Sequence, residues 1–314
     1  MAKLNRTSRI LSLVFLLLFF SAACAHQQQE NKSEVDLSAE QAPAGAPPEV
    51  ASPQVIEEYF LWRAEGSGGP VFLFGTMHGG VPFGPVDELP EPLRGALKGA
   101  ELVVMEVDIG ISPSMDLIQY MINPNEPLSG RLSPQRWERL VELSSLAANE
   151  LDMMRPWVVV SMLLSESMEH QGSVDEVIYH FAREKGLEMA FFETMEEQLR
   201  ILPQVITLKD LEEFIDNPEE SWDLLAELAE VYRRGDAEAL ASLIFDQPQY
   251  DSPETMEIML TDRNHAWMEN LPGYLEQGDV FIAVGAGHLF GEEGLIELLR
   301  AQGVEVERVL TVAR

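Results

Sequence analysis

Two stretches near opposite ends of this 314-residue chain share one pattern: Val71-Phe-Leu-Phe-Gly-Thr-Met-His78 and Phe281-Ile-Ala-Val-Gly-Ala-Gly-His288. In each, an apolar run breaks at a glycine and reaches a histidine three residues later. Short apolar runs rich in β-branched and aromatic residues form buried strands. A glycine at the end of the run lets the backbone turn tightly or approach a ligand closely. The imidazole then stands just past the strand's carboxyl end, where open α/β sheets gather ligands. Only six histidines occur in the chain, so two in one local context argue for a shared purpose.

Two further runs end on acids: Leu102-Val-Val-Met-Glu106 and Met189-Ala-Phe-Phe-Glu193. A buried carboxylate is costly unless it is paired or bound to a cation. Strand ends that offer His78, Glu106, Glu193 and His288 describe either one polar site or four unrelated turns. Any one alone reads as a satisfied turn residue, whereas their repetition favours a single site.

The periodicity between these runs gives the fold class. Strands are expected at 70–75, 101–107, 188–192, 280–285 and 304–311. Helices are expected near 90–99, at 112–122, 133–153, 156–170, 175–183 and 293–302, and almost without interruption from 194 to about 267. Ser133-Pro134 reads as a helix cap and first turn. The methionines at 162 and 168 read as core filling rather than as a cofactor pocket. The expected fold is α/β, a mixed central sheet flanked by helices with a large helical insertion.

The amino terminus stands apart from this fold. Lys3, Arg6 and Arg9 precede an apolar core from Ile10 to Phe20 and the small residues Ser21-Ala-Ala23, as in a secretory signal peptide. That core is shorter than the ~20 residues needed to span a bilayer. The sole cysteine, Cys24, follows at once. Ser-Ala-Ala-Cys resembles a bacterial lipobox in which Cys24 is lipidated, and cleavage after Ala25 is the competing reading. An unpaired thiol has no disulfide role in an oxidising compartment, which favours lipidation. The expected division is a signal peptide over 1–23, a lipid-anchored flexible linker over 24–55 and a folded domain over 56–314. Ala25, rather than Asp, after the cysteine resembles outer-membrane lipoproteins, so an exported cell-envelope protein is expected, touching the membrane through its anchor only.

Fifty-three acidic against 21 basic residues give a formal charge of −32. So acidic a surface repels nucleic acid and anionic lipid. With one cysteine there is no Cys/His zinc cluster. No Gly-x-Ser-x-Gly elbow, His-Glu-x-x-His helix or P-loop lysine motif is present. Gly285-Ala-Gly287 lacks the third glycine of a dinucleotide loop. His170, His180 and His265 fall on expected helices, where surface or core roles outweigh ligation.

Taken together, Phe74-Gly-Thr-Met-His78, Glu106, Arg155-Pro-Trp157, Gly172-Ser-Val-Asp175, Glu193-Thr-Met-Glu-Glu-Gln198, Asp262-Arg-Asn264 and Gly285-Ala-Gly-His288 resemble the TraB/GumN family over roughly 58–314. That family is similar to the TIKI proteins, metal-dependent proteases with two Gly-x-x-His motifs. It is more distantly similar to erythromycin-esterase-like and haem-binding ChaN-like proteins. The resemblance implies a metallohydrolase-like fold with His78, Glu106 and His288 at the family's site positions.

If a divalent metal binds there, His78 and His288 supply imidazole nitrogens and Glu106 an oxygen, leaving positions open for water. Glu193 is then a fourth ligand, a general base or an acceptor that orients a histidine. Arg263 binds a substrate carboxylate, stabilises an oxyanion, or pairs with a buried acid. Asn264 donates to the same oxyanion or caps its helix. This mixed donor set suits Mn, Co, Zn or Fe. The expected activity is metal-dependent hydrolysis of a peptide or similar amide. A metal-free esterase-like hydrolase and a non-catalytic peptide- or haem-binding protein are the alternatives.

Overall fold

The two histidine-bearing runs become neighbouring parallel strands. In the computed structural model, which describes residues 58–310 except 80, 82, 112–113, 168–172 and 247–252, β2 (Pro70–Thr76) pairs with β5 (Val280–Gly285), Gly75 opposite Val284 and Thr76 opposite Gly285. The export segment, the linker and Cys24 lie outside the described residues. On the far side of β5 runs β3 (Leu102–Met105), also parallel. Beyond β3 lies β4 (Glu188–Phe191), parallel again. Every residue of β3 and β5 is buried, which is why both read as unbroken apolar runs.

Two antiparallel strands complete the sheet and make it mixed. β1 (Leu61–Glu65) forms a hairpin with β2, and β6 (Val306–Arg308) pairs with the outer edge of β1. The full order is β4-β3-β5-β2-β1-β6. β1 was not expected from the sequence. Leu-Trp-Arg-Ala-Glu is mixed in polarity, and its alternation shows only once Arg63 and Glu65 are seen facing out.

Helices cover the sheet and fill the connection from β4 to β5, as expected. Pro156–Ser167 is buried continuously from Trp157 to Leu164, the mark of a helix enclosed on all sides. Val174–Lys185 opens with a capping box between Ser173 and Glu176 and closes on Gly186 at φ 67°, a left-handed cap that glycine adopts at little cost.

Other helix boundaries differ from expectation. The helix expected over 133–153 is two pieces, Pro134–Leu143 and Ala148–Leu151. Between them, the Ser144 hydroxyl accepts from the Leu146 N–H at 3.1 Å, offering the backbone an alternative to the next helical bond. Among the described residues of 112–122, the helix is the single turn Met115–Ile118. The long helix expected before β5 is interrupted by a turn of π-helix at Glu257–Thr261, immediately ahead of Asp262–Trp267. No helix among the described residues is long and apolar enough to cross a membrane.

Candidate functional site

The sheet topology gathers the polar strand ends. β4, β3, β5 and β2 are consecutive and parallel, so all four release their chains at one edge. Glu193 follows β4, Glu106 follows β3, His288 lies in the short turn Ala286–Leu289 after β5, and His78 follows β2. The backbone N–H of Glu193 donates to the Glu106 carbonyl at 2.9 Å, which carries the sheet ladder up to the site itself.

Gly285 is the meeting point. A methyl group on its α-carbon would sit 3.2 Å from Glu106 Oε1, 3.4 Å from His78 Nε2 and 3.8 Å from His288 Cδ2. Those three side chains therefore crowd the same small space, His288 through a ring carbon, and only glycine leaves it open. Its N–H donates to Glu106 Oε1 at 2.7 Å. Gly75 answers a related need, because a methyl there would press on Ala286 and Leu289 at 3.1 Å and push the two histidine turns apart.

Each histidine is fixed through its Nδ1. His78 Nδ1 lies 2.7 Å from Asp175 Oδ2, and Thr76 Oγ1 donates to the other carboxylate oxygen at 2.9 Å. An ionised carboxylate only accepts, so Nδ1 carries the proton and the Nε2 lone pair of neutral His78 points toward Gly285. His288 Nδ1 is 2.7 Å from Asn264 Oδ1. Asn264 Nδ2 in turn donates to the His288 and Glu293 carbonyls at 3.2 and 2.8 Å, which settles the amide's orientation and the tautomer together. His288 Nε2 is consequently an acceptor, 3.0 Å from Arg263 Nη1.

Arg263 ties the rest together. Its Nε and Nη2 donate to the two oxygens of Glu193 at 2.7 and 3.1 Å. Nη2 also donates to Glu106 Oε2 at 2.6 Å, and Nη1 donates to the Met259 carbonyl at 3.0 Å. With the contact to His288, all five guanidinium N–H groups are engaged. Trp267 covers the group, its ring centroid 4.9 Å from the guanidinium carbon and 4.3 Å from that of His288, while its Nε1 donates to Glu193 at 2.8 Å. The turn of π-helix at 257–261 supplies the Met259 carbonyl and precedes Arg263; such turns occur often at functional sites.

The electrostatics follow from burial and these contacts. Burial raises the Glu106 carboxyl, but Arg263, both histidines and the Gly285 N–H outweigh it and hold the group near a pKa of about 2. For His288, burial and then the Arg263 charge act together and press it down to about 3, so it is neutral at ordinary pH. Burial also pushes His78 down, yet the charge and hydrogen bond of Asp175 prevail and its pKa rises. Burial pushes Glu193 up against the pull of Arg263.

All six residues singled out from the sequence (His78, Glu106, Glu193, Arg263, Asn264 and His288) thus lie together, all of them buried except the partly exposed Glu193. His180 and His265 are exposed, and His265 pairs with Glu293 at 2.8 Å; His170 is outside the described residues. Four contributors were not singled out as site residues. Thr76, Asp175 and Gln198 stand inside motifs already noted, but no local signal distinguishes an orienting hydroxyl, acid or amide from an ordinary residue of a strand end or a helix. Gln198 Nε2 donates to Glu106 Oε2 at 3.1 Å, and its buried Oε1 has no partner. Trp267 is invisible without the third dimension.

The donors suit a divalent cation in kind: two imidazoles with Nε2 turned inward and a low-pKa carboxylate, each held by a neighbour that orients it. Arg263 already rests on two of the three, His288 and Glu106. Among the described residues no three His, Cys, Asp or Glu side chains close around a point as a cation requires.

Residues 60–308 match the TraB/PrgY/gumN family. The chain belongs to this family. The site residues just described, from Thr76 and His78 through Glu106, Asp175, Glu193, Gln198, Arg263, Asn264 and Trp267 to His288, all lie within the matched region. A metalloprotease TIKI homolog of Amphimedon queenslandica is 23% identical over 330 residues, covering 82% of this chain. The aligned region is 63% of that relative, so the TraB/PrgY/gumN chain spans less than two thirds of its length. No solved structure matches.

Proposed function

We propose that this chain is a metal-dependent hydrolase acting on a peptide or similar amide bond. The observation that carries the reading is the gathering of His78 Nε2, Glu106 Oε1 and the His288 ring beside the open face of Gly285, a set of the right donor types that would have to draw closer to close around a cation. The relative named as a metalloprotease supports the same chemistry. In this reading His78, Glu106 and His288 would hold the cation, while Asp175 and Asn264 fix the two ring orientations. A cation held there would supply a water of lowered pKa and a Lewis acid for the scissile carbonyl. Burial of the donors excludes bulk water and strengthens each polar contact. Glu193 anchors Arg263, and Arg263 in turn holds Glu106 ionised.

Two spaces adjoin the site, of which the first suits a peptide chain and the second, by its size, a single water. A groove of about 580 Å3 runs beside Asn264 and is walled by Phe245, Met256, Leu260 and Phe290. A small cavity of about 30 Å3 lies against His78 and Gly285, lined by Met77, Leu228, Leu240 and Ile244. The domain is further proposed to be exported and lipid-anchored through Cys24, so Cys24→Ser is expected to move it from membranes to the soluble fraction.

One observation favours a metal-free alternative. The Thr76–Asp175–His78 relay would also orient and support an imidazole acting as a general base. Peptide and ester panels assayed with and without chelator decide between the two. Activity abolished by chelation and restored by Mn, Co or Zn supports the metal reading, and activity that survives chelation selects the His78 base.

A further inference from the structure

We propose that the groove beside Asn264 recognises basic peptide segments, an apolar side chain filling its trough while a lysine or arginine is held by a rim of carboxylates and the ring of Phe245. This rests on the reading above that the chain acts on peptides, and it names their charge. One wall of the groove is the helix Ala237–Phe245. Glu238, Ala241, Ser242 and Phe245 stand at i, i+3, i+4 and i+7 and so share one face, and all four line the groove. Leu240 and Ile244, on the opposite side, are buried. The small pair in the middle keeps the trough open between a carboxylate at one end and an aromatic ring at the other. Met256, Leu260 and residues 290–293 complete the walls. A volume of about 580 Å3 falls within the ~300–1,000 Å3 of sites that enclose a drug-sized ligand, which is room for a few residues of peptide.

Charge decides the occupant. Glu238, Asp246, Glu292 and Glu293 rim the groove, and among the described residues no lysine or arginine lines it. The chain that builds it cannot supply one. Between Arg234 and Arg300 the sequence carries no lysine and no arginine except Arg263, which is buried with its donors spent on Glu106, Glu193, His288 and Met259. Glu293 takes His265 at 2.8 Å, which leaves the exposed Glu238, Asp246 and Glu292 for an incoming cation. Phe245 adds a second element of recognition. Its ring rests on Gly291, where a methyl would stand 3.2 to 3.5 Å from three ring carbons, yet the residue stays 40% exposed. An exposed aromatic ring attracts an ammonium or guanidinium placed over its face. The groove also reaches the site, because Asn264, one of its lining residues, holds His288 Nδ1 at 2.7 Å and the Glu293 carbonyl at 2.8 Å. A peptide lying there abuts the side chain that orients His288.

The test is fluorescence anisotropy of the full chain in chelator, titrated against a dye-labelled peptide of alternating Leu and Lys and against its Leu/Glu and Leu/Ser analogues. Wild type is compared with Phe245→Leu and with the groove variant Glu238→Gln/Asp246→Asn/Glu292→Gln. A control variant, Glu184→Gln/Glu276→Gln/Glu305→Gln, removes the same charge at exposed positions that do not line the groove. Wild type is expected to bind the Leu/Lys peptide in preference to both analogues. The groove variant is expected to weaken that binding by about tenfold through three exposed charge contacts, and Phe245→Leu by about two- to fivefold. The control variant is expected to weaken it by less than about twofold, since distant charges are screened. Equal weakening in the groove and control variants would show attraction to the overall negative charge alone and overturns the proposal. Equal binding of the three peptides, or no binding of the Leu/Lys peptide, overturns it as well. Working in chelator keeps this separate from catalysis. Groove-dependent binding with no turnover after adding Mn, Co or Zn supports the groove and counts against hydrolysis. Turnover of neutral peptides that the groove variant leaves unchanged overturns the groove and leaves hydrolysis standing.

Discussion

Asp175 Oδ2 lies 2.7 Å from His78 Nδ1, with both side chains only 3% exposed. The contact spans two segments that sequence separates widely, and it decides which nitrogen of His78 faces the site. Asp175→Ala is therefore expected to lower metal affinity by about 10- to 100-fold. It is also expected to cost about 1–3 kcal/mol of stability through the unpaired imidazole and Thr76 hydroxyl. Calorimetry and denaturant melts check the two effects separately. An unchanged metal affinity would show that His78 is oriented by something else.

Gly285→Ala probes the meeting point of the site. The added methyl would stand 3.2 Å from Glu106 Oε1 and 3.4 Å from His78 Nε2, so one of them must move. The expected cost is about 1–3 kcal/mol of stability, together with loss of metal binding. Gly99, whose methyl would meet nothing within 4 Å, is the control. Gly99→Ala is expected to be neutral or to stabilise by up to about 1 kcal/mol.

Arg263→Ala removes the guanidinium but leaves Glu106 and Glu193 buried. Breaking one side of a buried ionic cluster costs about 3–5 kcal/mol, a large share of an ordinary domain's stability. Adding Glu193→Gln to Arg263→Ala is expected to recover part of that loss in a denaturant melt. Full additivity of the two changes would argue that they do not share one network.

Acid should destabilise the fold in a predictable window. His288 is held down at about 3, whereas an unfolded histidine titrates near ~6.5. Between those values the unfolded chain binds a proton that the folded chain refuses, so stability falls as pH falls. Glu106, held at about 2, adds a further loss below the ordinary glutamate pKa of ~4.3. His78 acts in the opposite sense: its raised pKa contributes stability below ~6.5 that is lost as pH rises through the folded value. Melting temperature measured from pH 3 to 8 should therefore climb on the acid side, and Glu106→Gln should flatten the lowest part of that limb.

Much of this arrangement was legible before any coordinates. The apolar runs before His78, Glu106 and His288 are interior parallel strands, where burial forbids alternation and leaves polar groups only at the ends, while the run before Glu193 is the half-buried edge strand. That logic places His78, Glu106, Glu193 and His288 at strand ends. Parallel pairing of β2 with β5 is what turns four edges into one site, and no local pattern encodes it. β1 escaped because Arg63 and Glu65 interrupt its apolar character, and its strand state comes from pairing with β2 and β6. Arg263 and Asn264 were recognisable as residues of interest, while their partners were not. That Arg263 spends every donor inside the protein is a fact of three dimensions, as is the break from α- to π-helix just before it.

The most direct test is the metal stoichiometry of the purified full chain, wild type against the His78→Ala/His288→Ala double variant, after loading with Mn, Co or Zn and removal of free metal. One tightly held equivalent in the wild type and none in the double variant is the predicted result. No metal in the wild type, or equal metal in both proteins, would contradict a cation held by His78, Glu106 and His288.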